Sequence, residues 1–187
     1  MKMTVLALLA AAEAIALRQA AEASPVQHVL VQMPLLVLAG VLISWDMRGR
    51  RRVWAVPLLL TALTAFLFWM LPRSVDWALT PAGETAKYLS LPLLLGVPLR
   101  LSWPWLAPVL RGFLKANVLS MLGVLGFLYT HAPLRICNSY LVSAQQDLGF
   151  AFLQLAVVLA CIWAVPVLFG HPRWLPSGSA GCSKCGA

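Results

Sequence analysis

The sequence is poor in charge and poorest in negative charge. Of 187 residues only 11% are charged, and only 6 are Asp or Glu. A soluble domain carries about 25% charged residues, so a soluble globular enzyme is excluded. Histidine is scarce too, with three: His28, His131 and His171. Four cysteines are too few and too scattered for a disulfide scaffold. No phosphate-binding loop, nucleophile elbow, His-Glu-x-x-His pair or GxGxxG fingerprint occurs, and no enzymatic activity is expected. What is abundant is apolar: 61% of the residues are hydrophobic and the mean hydropathy is +0.84. A helix crosses a ~30 Å hydrocarbon core with about 20 residues. The expected fold is therefore all-α, a polytopic membrane bundle of about six helices over residues 1–170. A flexible cytoplasmic tail, 171–187, is expected to follow. The net charge of +8 is better explained by cytoplasmic loops than by a nucleic-acid surface.

The first apolar segment, Thr4 to Ala23, has signal-peptide features, with Lys2 ahead of it and Ala21-Glu22-Ala23 as a small-x-small site. Glu13 interrupts its apolar run, which favours a retained helix. An ionisable group at that depth is a functional candidate, unless the helix is tilted and Glu13 sees water. Arg18 and Glu22 stand as an i,i+4 pair. The second segment runs from Val26 to Trp45 and ends at the arginine cluster Arg48, Arg50, Arg51 and Arg52, a cytoplasmic mark. The third runs from Val53 to Leu71, followed by an external loop from Pro72 to Thr80. Pro81 suits a first helical turn, so a fourth helix is placed from there to Arg100. The Pro-rich stretch Leu101 to Pro108 is read as an interfacial segment with its tryptophans at headgroup level. A fifth helix begins near Arg111 and ends near His131. A second external loop covers Ala132 to Val142. Ser143-x-x-Gln146 is a capping-box pattern and opens a sixth helix that ends near Phe169.

This threading puts Lys2, the four arginines, Arg111, Lys115, Arg173 and Lys184 inside. Outside lie Arg18, Arg73, Lys87 and Arg135, with Arg100 at the inner boundary. The asymmetry predicts a bacterial inner-membrane, multi-pass protein with both termini cytoplasmic. No internal repeat is visible, which disfavours a transporter built from inverted repeats.

Several polar residues fall at the outer ends of different helices on this threading. His28 and Gln32 share a helix face at i and i+4, and Met33 is adjacent. Met70 ends the third helix, Asp76 follows it, and His131 ends the fifth. Gln145, Gln146 and Asp147 occupy the first turn of the sixth. Imidazole, thioether and carboxylate all bind metals, and Met with His favours Cu(I). Each residue also has a plainer role. His28 can face headgroups, Met33 and Met70 can fill core gaps, and His131 can answer a helix dipole. Gln146 and Asp147 can simply cap. Cys182-Ser183-Lys184-Cys185 in the tail supplies half of a tetrahedral soft-metal site. Cys137 stands alone in an external loop, and Cys161 lies within the sixth helix.

Four pieces of the chain resemble the CtaG-like cytochrome c oxidase assembly factors. His28-Val29-Leu30-Val31-Gln32-Met33 is similar to that family's His-x-x-x-His-Met stretch. Trp69-Met70-Leu71-Pro72, with Asp76, is similar to its Trp-His-Leu-Pro segment. Tyr129 to Leu134 and Gln145-Gln146-Asp147-Leu148-Gly149 resemble its later loop and helix start. Gln32 and Met70 stand where the family has histidine, and Ala144 where it has aspartate. The resemblance implies a membrane accessory protein that handles copper for a respiratory or periplasmic copper enzyme. Cu(I) would be held by His28, Met33, Met70 and His131, with Asp76 and Asp147 orienting them and Cys182 and Cys185 as tail candidates. Membrane lipid and subunits of such an enzyme are the expected partners, and nucleic acid is not. Two other readings stay open. One is a non-catalytic structural subunit of a membrane complex, favoured by Gly123-x-x-Gly126 and an Ala-rich first helix that permit close packing. The other is a small-solute transporter. A haem held by His28 and His131 is a further formal option.

Overall fold

A computed structural model of the chain describes residues 2–47, 52–131 and 141–169. These residues are helical almost throughout and contain no strand, as the composition requires. The helices are α1 (Lys2–Ala16), α2 (Arg18–Ala23), α3 (Met33–Ile43), α4 (Ala55–Met70), α5 (Pro72–Trp77), α6 (Pro81–Ser90), α7 (Val97–Ser102), α8 (Pro108–His131) and α9 (Val142–Phe169). The arginines at 48, 50 and 51, the 132–140 segment and the tail with Cys182 and Cys185 lie outside the described residues.

Among the described residues two helices are long and apolar enough to cross a membrane: Pro108–His131, and α9 from Val142 to Pro166. The expected count of about six is not reached by length and apolarity: Met3–Ala16 and Ala55–Met70 are shorter apolar helices, and in two further segments proline breaks the regularity. Pro34 has no N–H, and its ring presses on the carbonyl four residues earlier. The preceding turn, Gln27–Gln32, widens into a π-helix, and the Met33 N–H bonds the His28 carbonyl five residues back. The same device recurs before Pro98. Leu91–Gly96 is a π-helix, and the Val97 N–H bonds the Pro92 carbonyl. Runs read from the sequence as single apolar helices are thus jointed, and Gln27–Ile43 counts among the shorter apolar helices.

The two jointed segments cross each other closely. A Cβ on Gly40 would collide with the Pro92 carbonyl oxygen, and one on Gly96 would collide with the Val37 carbonyl oxygen. Glycine at both positions lets the backbones meet. α1 also packs on α3 and presents the buried Ala7 and Ala14. Its leucines Leu6, Leu8 and Leu9 turn outward. α4 buries Ala55, Leu59, Ala62 and Trp69 along one face, the spacing of an amphipathic helix.

The expected external loop after Leu71 is instead partly helical. Pro72 starts α5 at a position where its missing N–H costs nothing. Trp77 at its end stacks on Trp69, with centroids 6.1 Å apart and planes 22° apart. Thr80 then caps α6, its Oγ1 accepting the Gly83 N–H at 3.2 Å, with Pro81 in the first turn as expected. The sixth expected helix begins at Val142, one residue before Ser143. The Gln145 N–H bonds the Leu141 carbonyl, so Ser143 sits inside the first turn. α8 and α9 pack chiefly on each other. Gly126 and Gly149 meet at their crossing, whereas Gly123, also expected to serve close packing, has nothing within 4 Å.

Candidate functional site

The polar residues that the fold gathers lie between α1, the Gln27–Gln32 turn and α6. His28 and Gln32 do share one face, as their spacing requires, and both are fully buried. The Gln32 amide joins three elements. Its Nε2 donates to the Ala14 carbonyl at 2.8 Å and to the Tyr88 hydroxyl at 3.0 Å. Its Oε1 accepts from Lys87 Nζ at 2.8 Å. A carbonyl only accepts and an ammonium only donates, so these two partners fix which end of the amide points where. Lys87 is 2% exposed, and its ammonium also lies 5.1 Å from the Tyr88 ring centroid. One turn away, Arg18 Nε meets Glu84 Oε1 at 3.0 Å. This bond joins α2 to α6, and the side chain of Glu22, the expected i,i+4 partner of Arg18, lies outside the described residues.

His28 differs from its neighbours. Neither Nδ1 nor Nε2 has a hydrogen-bond partner. The imidazole lines a small cavity with Arg18, Gln32, Ala78, Leu79, Glu84 and Lys87. Two cationic side chains and one carboxylate thus face the ring.

The expected copper ligands are distributed more widely. Met33 is buried in the core and Met70 packs against it, half-buried. Neither lines the cavity beside His28. His131 is exposed at the end of α8, its ring stacked on Phe127 at 4.3 Å and its Nδ1 2.8 Å from Thr130 Oγ1. Asp76 is half-buried in α5 and Asp147 is exposed in α9. Gln145, beside it, is buried. Among the described residues no three His, Cys, Asp or Glu side chains gather as a metal group. Glu13 is exposed on α1, and Cys161 is exposed on α9.

Lys87, Glu84 and Tyr88 were not expected at this site. The charge pattern of the sequence places Lys87 among the outer charges. A signal was nevertheless available. Residues 84, 87 and 88 fall at i, i+3 and i+4 on one helix face. Lys87 also stands inside a stretch read as membrane helix, where an ionisable group is a functional candidate by default. Compared with family models, curated proteins and solved structures, the chain matches none, and the reading of this cluster rests on its own residues.

Proposed function

We propose that the chain is a multi-pass inner-membrane accessory protein without enzymatic activity. It serves the assembly of a copper-dependent respiratory or periplasmic enzyme, and the polar cluster around His28, Gln32 and Lys87 is its working centre. The observation that carries this reading is Lys87, an ammonium buried among apolar helices and held by a fully buried amide. Such groups are expensive in a membrane interior and are kept where they position something. The resemblance to CtaG-like factors, which includes the His28–Met33 stretch, supplies the partner class. The test is purification in mild detergent from a native host. A copper enzyme subunit should co-purify in stoichiometric amount, and its copper content should fall in a Lys87→Met strain. Unchanged copper and no partner would end this reading.

A second reading makes the protein itself the copper carrier. His28 favours it, because an imidazole with two open nitrogens is a ready ligand. Lys87 and Arg18 around the same cavity oppose a further cation. Metal analysis of the wild type beside a His28→Ala, His131→Ala variant decides it, since equal copper in both removes these residues as ligands.

A further inference from the structure

The His28 imidazole is enclosed on every side, yet both ring nitrogens lack a partner among the described residues. Native proteins rarely leave such atoms unmet, because an unmade buried hydrogen bond is costly. The cavity that the ring lines measures about 10 Å³. A water molecule needs roughly 10–15 Å³ on this scale, together with two to four polar partners. The wall supplies donors from Lys87 and Arg18 and an acceptor from Glu84. Water is the ligand that both donates and accepts in so small a space. A chloride ion is larger, and a metal cation would face two cationic side chains.

We propose that this cavity is a binding site for one ordered water molecule, which hydrogen-bonds a ring nitrogen of His28 and exchanges with bulk water past Arg18. The Arg18 side chain is 57% exposed, while its partner Glu84 is 16% exposed, so the pair forms the solvent-facing edge of the cavity. The bound water gives His28 a replaceable partner inside an otherwise apolar bundle. This inference does not rest on copper binding.

The experiment uses the full-length protein, ¹⁵N-labelled at histidine and tryptophan, in lipid bilayers with a copper chelator present. Water-edited solid-state NMR measures how fast each side-chain nitrogen receives magnetisation from water. His28→Phe keeps a ring of similar shape and identifies the residue 28 signal by its loss. The His28 signal is expected to build several-fold faster than the Trp69 indole, which is buried and bonded to Ser90 at 3.0 Å. It should approach the rate of the exposed His131. A His28 signal that builds no faster than Trp69 overturns the proposal. Should His28→Phe fail to fold, a His131→Gln, His171→Gln protein leaves residue 28 as the sole histidine, and the comparison with Trp69 decides the matter alone.

Discussion

Gln32 makes three side-chain hydrogen bonds across the fold. One amide ties α1 to α6 and fixes the Lys87 ammonium. Gln32→Leu keeps the volume and removes all three bonds, leaving the Ala14 carbonyl inside the fold without this donor. The expected loss is about 1–3 kcal/mol for each group so stranded, read as a clear drop in the thermal unfolding midpoint in detergent. Arg18→Gln removes a pair whose cation is more than half exposed, and such pairs contribute about 0–1 kcal/mol. Its unfolding midpoint should stay close to wild type. If the two variants lose stability equally, the amide is not the principal tie. Only part of this was legible in advance. The i,i+4 spacing of His28 and Gln32 was readable from the chain. Their meeting with Lys87 was not, because 55 positions separate Gln32 from it and no local pattern encodes the encounter.

Among the elements, the two proline-jointed segments define the geometry. Their wide turns end two residues before Pro34 and Pro98, and they touch where Gly40 and Gly96 stand. Gly40→Ala would drive a Cβ into the Pro92 backbone. Overpacking of that kind costs about 1–3 kcal/mol or more when the neighbour is main chain. Gly112→Ala, in α8 with nothing within 4 Å, is expected to be neutral or stabilising by up to about 1 kcal/mol. Paired unfolding curves check both, and equal effects would contradict the close crossing. One helix start was readable here: Pro81 opens α6 as local chemistry dictates, whereas the cap by Thr80 was not singled out in the sequence. Helix continuity was not. Hydropathy reports where apolar residues lie, whereas the shift from four- to five-residue hydrogen bonds is a matter of backbone register. For the same reason α5 has no signature in the sequence, since its six residues carry no apolar period.

For the whole molecule, the described contacts separate a tightly braced part, α1 to α7, from an α8–α9 hairpin that packs mainly on itself. The expected copper set drew His28 from the first and His131 from the second, and the ends of distant helices are the hardest thing to align by reading a chain. The hairpin still contributes Leu122, Leu125, Tyr129, Leu148 and Phe152 to the common apolar core. The proposed topology makes a prediction of its own. In a cysteine-free background, Ala82→Cys should react with a membrane-impermeant maleimide from the periplasmic side. Trp54→Cys should react only after the membrane is opened. Both positions are exposed in the fold, so labelling of both from one side would overturn the threading.

The stacked indoles of Trp69 and Trp77 carry an optical consequence. Two indoles 6.1 Å apart with planes tilted by 22° couple their excited states, and the skew between their transition moments produces a paired positive and negative band in far-ultraviolet circular dichroism. Trp77→Phe should abolish that couplet while leaving the helical signal in place. The seam where α5 folds back on α4 thereby carries its own spectroscopic gauge, able to follow this corner of the protein in detergent or bilayer without any added label.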